Sequence, residues 1–229
     1  MEGESKLFFK ILKALQKAEI LNDIILIGSW THHFYRIKFK DSTNVPEVRT
    51  MDVDFLVPNP PKIKKDVNVQ KLLEKQQFKV TRSYPTGYTK YQNPKLDVEF
   101  LIPEFGREKK PGQVSIDKLH IQANKIRMLA FLQDYTTIIT DKKNNISVRV
   151  PEPEAYVLHK FIVAQRRVSP DKKEKDLKAA REISKILLDN PNQKKRLKYI
   201  FDEIPKGWQK KIINSVEKNL PELYAFLKT

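Results

Sequence analysis

Asp23-Ile24-Ile25-Leu26-Ile27-Gly28-Ser29-Trp30 is an isoleucine-rich run that stops at a Gly-Ser pair, and residues 30–40 continue with a helical pattern. The stretch reads as strand, tight turn, helix. Glycine lets a backbone approach a ligand closely, and a helix start presents N–H groups that have no partner inside the helix. Gly28 and Ser29 are therefore candidate positions for cradling phosphate.

Outward from this turn, residues 41–49 are polar and contain Pro46, which reads as a loop. Met51-Asp52-Val53-Asp54-Phe55-Leu56-Val57 then alternates as a strand, ended by Pro58, Pro60 and Pro61. The alternation puts Asp52 and Asp54 on one face and Val53 and Phe55 on the other. Two carboxylates so placed repel each other unless a cation holds them, and Mg²⁺ (or Mn²⁺) favours hard carboxylate oxygens combined with substrate phosphates. Leu96-Asp97-Val98-Glu99-Phe100-Leu101 repeats the arrangement. A third carboxylate, Asp97 or Glu99, is thus expected to bind metal or take a proton from an attacking hydroxyl. A Gly-Ser turn or an Asp-x-Asp strand alone is unspecific. Their conjunction carries the reading.

Around these motifs the chain divides in pattern. Residues 5–20 read as an amphipathic helix, 66–77 as a second helix, and 78–83, 88–92 and 96–102 as strands. Residues 103–112 read as a basic loop and 121–133 as partly helical, and the segments 136–140 and 146–150 flank Asp141-Lys142-Lys143-Asn144-Asn145 like a hairpin. Beyond Pro151 and Pro153 the pattern becomes helical: 154–167, 172–189, 193–204, 208–219 and 222–228, separated by Pro170, Pro191, Pro205 and Pro221. The expectation is an α/β (α+β) domain over 1–150 with a mixed sheet, followed by a helical domain over 151–229.

Composition narrows the function classes. The chain has 229 residues, 40% apolar and 31% charged, and no apolar run of the roughly 20 residues a membrane-spanning helix needs. Its acidic first residues, and the lysines Lys10 and Lys13 after them, lack the order of a secretory signal, so a cytoplasmic location is expected. The absence of cysteine excludes disulfides, thiolate metal sites and cysteine nucleophiles. A net charge of +16, from 44 Lys+Arg against 28 Asp+Glu, favours polyanionic partners such as RNA or nucleotide phosphates, though a Lys-rich surface also simply keeps a protein soluble. His32 and His33 read as packing or hydrogen-bonding residues, not as a zinc site, and Trp30, Phe34 and Tyr35 as core. No Walker, Ser-elbow or Gly-x-Gly-x-x-Gly pattern is present.

Ile27-Gly28-Ser29-Trp30, Met51-Asp52-Val53-Asp54-Phe55 and Leu96-Asp97-Val98-Glu99-Phe100 resemble the three motifs of the DNA polymerase beta-like nucleotidyltransferase superfamily. More narrowly, the chain looks like bacterial nucleotidyltransferase-fold proteins akin to AbiEii-type toxins. In those proteins a helical half carries a lysine, a basic stretch and a Lys-Asp pair, matched here by Lys160, Arg166-Arg167 and Lys175-Asp176. The resemblance covers residues 20–185. It implies nucleotide binding by Gly28, Ser29, Lys160, Arg166, Arg167 and Asp176, metal at Asp52, Asp54 and Glu99, and catalysis by Asp52, Asp54 and Glu99 or Asp97. The implied reaction moves a nucleoside monophosphate from an NTP to an acceptor hydroxyl on tRNA, another RNA, a protein or a small molecule. In a toxin-like setting an antitoxin protein would be a partner. The alternative is a non-catalytic nucleotide- or RNA-binding module with the same fold.

Overall fold

The computed structural model describes residues 2–40, 45–47, 50–105 and 112–228. It resolves into two compact units, one of Met1–Lys38 with Val48–Pro151, the other of Phe39–Glu47 with Glu152–Thr229. Most of the expected loop at 41–49 and of the basic loop at 103–112 lies outside the described residues.

The first unit opens with α1 (Glu2–Lys17), whose Phe8, Ile11, Leu12 and Leu15 are buried at helical spacing while Lys10 and Lys13 face outward. β1 (Ile25–Ile27) runs through a single 3₁₀ turn, Gly28–Trp30, into α2 (Thr31–Lys38). β2 (Asp52–Leu56), α3 (Val69–Glu74), β3 (Lys79–Arg82), β4 (Thr89–Gln92) and β5 (Asp97–Pro103) follow. Among the described residues the sheet has the order β1-β2-β5-β4-β3. Two further strands join it, β6 (Gln113–Ile116) on β7 (Ile121–Ile126), and β7 on β5. β5 is parallel to both β2 and β7, and the other pairings are antiparallel, so the sheet is mixed.

Val53, Phe55, Tyr91, Val98 and Phe100 are at most 1% exposed and form the sheet's core face, with Phe55 stacked on Phe100 at 5.6 Å between ring centroids. Each such side chain contributes roughly 1.5–3 kcal/mol by leaving water. That burial fixes the register, because a slip of one residue would turn every acid of β2 and β5 into the core.

The segment 121–133, expected to be partly helical, is so: residues 121–126 form β7, and the helix is α4 (Ala130–Asp134). Gln, Ala and Lys favour helix locally, but pairing with β5 on one side and β6 on the other overrides that preference. β8 (Thr136–Asp141) and β9 (Ile146–Pro151) form the expected hairpin.

The second unit contains α5 (Pro153–Ala164), α6 (Pro170–Asp189), α7 (Pro191–Glu203), α8 (Lys206–Asn219) and α9 (Pro221–Lys228). Four of these helices begin on a proline, whose fixed φ and missing N–H suit the first helical position. Ser169 and Asn190 cap α6 and α7 by accepting from backbone N–H groups. α5 is the central helix, packed by α6, α7 and α8. The whole is an α+β fold with a helical C-terminal region.

Candidate active site

β2 and β5 lie parallel in a register that sets Asp52 beside Asp97 and Asp54 beside Glu99. The four carboxylates therefore occupy one patch of the sheet face opposite the core. β1, antiparallel to β2, pairs Ile27 with Asp54, so the turn that leaves β1 begins against that carboxylate. Gly28 has φ +74°, and a Cβ there would stand 2.8 Å from Asp54 Oδ2. Only glycine meets both conditions. The Thr31 hydroxyl donates to the Gly28 carbonyl at 2.7 Å and closes the turn, with Ser29 half-buried inside it.

Each acid has a different setting. Asp52 is the open end, with its side chain 56% exposed, whereas that of Glu99 is 15% exposed. Lys90, on β4, reaches Glu99 Oε1 at 2.6 Å and lies 3.9 Å from Asp52 Oδ1. Asn124, on β7, donates to Glu99 Oε2 at 3.2 Å. Gln92 donates to Asp97 at 3.2 Å, and Thr50 to Asp52 at 3.4 Å. Burial by itself would lower the Lys90 pKa. The hydrogen bond to Glu99 and the charges of Glu99, Asp52 and Asp97 more than offset it, so the ammonium is held above its usual range.

Asn124 is fully buried and its orientation is fixed. Its side-chain oxygen accepts from the Thr89 N–H and from Gln113, and its amide donates to the Thr89 carbonyl as well as to Glu99. Lys90, Gln92 and Asn124 were not singled out from the sequence. The alternation of β4 around buried Tyr91 signals that Lys90 and Gln92 face away from the core, but which acids they meet depends on strand register.

The donor set fits a hard divalent cation in part. Asp52 and Asp54 share a face and offer oxygens of the kind Mg²⁺ prefers. Glu99 is bonded to Lys90 instead. Among the described residues no group of three or more His, Cys, Asp or Glu side chains stands arranged to hold a metal ion.

Lys160, Arg166, Arg167 and Asp176 belong to the second unit. Asp176, buried on α6, accepts from Lys160 Nζ of α5 at one oxygen and from Arg167 Nε at the other, the latter at 2.7 Å. Burial would raise the Asp176 carboxyl, but the charges and hydrogen bonds of Lys160 and Arg167 hold it below the usual carboxylate value. Lys160 also lies over the Tyr156 ring, 5.3 Å from its centroid. Arg166 is exposed and is not part of this ion triad as placed.

The aromatic and histidine residues of the turn and of α2 pack. Trp30 stacks on Phe8 at 4.0 Å and His32 is buried, while His33 is 2.8 Å from Asp141 on β8.

A family model described as nucleotidyltransferase matches residues 7–199 of the chain. No curated protein matches it. Among solved structures, the chain is similar to an antigenic nucleotidyltransferase-like protein from Paracoccidioides brasiliensis, at 14% identity and a TM-score of 0.52, over 97% of this chain and 91% of that one. That likeness is one of fold. No helix among the described residues is long and apolar enough to cross a membrane.

Proposed function

Because the chain belongs to this nucleotidyltransferase family, we propose that it moves a nucleoside monophosphate from an NTP to an acceptor hydroxyl on the face made by Gly28, Asp52, Asp54, Asp97 and Glu99. The observation that carries the reading is the register that sets Asp52 beside Asp97 and Asp54 beside Glu99, with Gly28 against Asp54.

In the reaction the acceptor oxygen bonds to the α-phosphorus, the bond from that phosphorus to the bridging oxygen breaks, and pyrophosphate leaves. Such a transfer asks mainly for positioning and charge neutralisation. The Gly28-Ser29 turn receives the phosphates on its backbone N–H groups. A divalent ion, Mg²⁺ or Mn²⁺, held by Asp52 and Asp54 would supply neutralisation of the triphosphate. Asp97 accepts the hydroxyl proton: one side-chain donor, Gln92, engages it, whereas Lys90 and Asn124 engage both oxygens of Glu99. Lys160, Arg167 and Asp176 are assigned to nucleotide contact on the family resemblance alone, and Arg166 with them. On its own geometry, their triad ties α5 to α6.

The charge of +16 makes RNA, tRNA first, the leading acceptor class. Kinship with AbiEii-type toxins is the finer reading, and it carries an antitoxin partner and a cytoplasmic setting. It is tested by whether expression arrests growth and whether the Asp52→Ala/Asp54→Ala variant abolishes the arrest. The engagement of Glu99 by Lys90 favours a second reading, a nucleotide- or RNA-binding module without turnover.

One experiment separates the two readings. Purified protein is incubated with Mg²⁺, each labelled NTP in turn and total tRNA, beside Asp52→Ala/Asp54→Ala. Transfer of label that the variant loses establishes the enzyme. RNA affinity that is kept or raised in the variant, with no transfer by either protein, establishes the binding module.

A further inference from the structure

We propose that Lys90 is the resident counter-cation of the acid face: its ammonium holds the ground between Glu99 and Asp52, and a divalent ion reaches Glu99 only by displacing it. The inference rests on the reading of this face as an NTP and cation site.

Position is the first argument. Lys90 Nζ is 2.6 Å from Glu99 Oε1 and 3.9 Å from Asp52 Oδ1, so one ammonium on β4 reaches toward carboxylates of two other strands. The placement is built into the sheet. β4 pairs Tyr91 with Val98 and Gln92 with Asp97, and the fully buried Tyr91 and Val98 commit that side of both strands to the core. Lys90, next to Tyr91, is thereby committed to the acid side. Glu99 is fixed from its other oxygen by Asn124, which is itself locked between Thr89 and Gln113. The carboxylate cannot turn to an incoming ion without losing one of two bonds.

Charge is the second argument. Four carboxylates in adjacent positions on two neighbouring strands repel one another when all are ionised, and a cation is required to hold them. Lys90 supplies one from within the chain. A lysine ammonium is a compact point charge with three donors on a flexible stem, able to stand where an ion would and to leave. Glu99 is occupied by the protein's own cation.

The test measures Mn²⁺ affinity directly, from the electron paramagnetic resonance signal of free Mn²⁺ during titration, without nucleotide. The proteins are wild type, Lys90→Met, Lys90→Gln and Lys90→Arg, each checked for folding by circular dichroism. Gln keeps a donor for Glu99 and serves if Met unfolds. The two neutral variants are expected to bind Mn²⁺ about tenfold more tightly than wild type, since a unit positive charge has left the site, and Lys90→Arg to stay near wild type. Equal affinity in all four proteins overturns the proposal. So does an equal gain in Lys90→Arg, which would make shape and not charge responsible, and so does a lack of Mn²⁺ binding in every protein. The nucleotidyl-transfer reading fails separately: a tightened Mn²⁺ site in Lys90→Met, when the wild-type protein transfers no nucleotide, leaves the Lys90 inference standing and removes the other.

Discussion

Gly28 and Asp54 are in contact through an absence: a Cβ on residue 28 would lie 2.8 Å from Asp54 Oδ2, in a backbone conformation, φ +74°, that already disfavours any other residue. The strand pairing that brings Ile27 opposite Asp54 makes this contact unavoidable. The turn and the acid strand are therefore one piece of machinery, and the carboxylate's position depends on the missing side chain.

Gly28→Ala is expected to cost about 1–2 kcal/mol from the left-handed backbone alone, with a further loss from the displaced Asp54 carboxylate. Urea denaturation measures the first effect. The second shows as a loss of nucleotidyl transfer under conditions where the variant is still folded. Full transfer activity in a folded Gly28→Ala protein would disprove the coupling.

Asn124→Ala removes the donor to Glu99 Oε2 and, in a buried place, the partners of the Thr89 N–H and carbonyl. Buried polar groups left unpaired cost about 1–3 kcal/mol. The expected result is a lowered denaturation midpoint with a nearly unchanged slope. Faster hydrogen exchange at the Thr89 amide than in wild type would locate the damage.

Much of the fold was readable because its signals are local. Proline placed the helices of the second unit, alternation placed the acids of β2 and β5 away from the core, and the Gly-Ser pair marked the turn. What escaped was non-local. Residues 121–126 have helix-favouring composition and became strand β7 because β5 and β6 flank it. Lys90 carries no motif, and its bond to Glu99 exists only once β4 is registered on β5. The same holds for Asn124, a polar residue in an unremarkable run whose burial comes from pairing with β5 and β6.

Asp176→Asn is expected to destabilise the protein by about 3 kcal/mol, because it leaves the Lys160 charge buried without its partner. The wild-type carboxyl titrates below its ordinary value of 3.8. It therefore contributes stability that is present above the unfolded-state pKa and lost as pH falls through the folded one. Urea midpoints should show the gap between wild type and Asp176→Asn constant from pH 7 to about 5 and narrowing below about 4.

His159 gives the opposite case, a buried group that stays neutral. Burial first, then the neighbouring Lys160 charge, push its imidazole from 6.5 down to about 3, and its Nε2 has no hydrogen-bond partner among the described residues. Between those two values the unfolded chain binds a proton that the folded one refuses, so folding stability falls as pH falls below about 6.5. The slope from this one group is at most about 1.4 kcal/mol per pH unit. His159→Met keeps an apolar body and removes the titration. Its unfolding free energy, measured in urea at pH 7, 6, 5 and 4, should decline less steeply than that of wild type, with the two curves converging or crossing toward pH 4. Parallel curves over that range would mean that the imidazole is protonated in the folded protein.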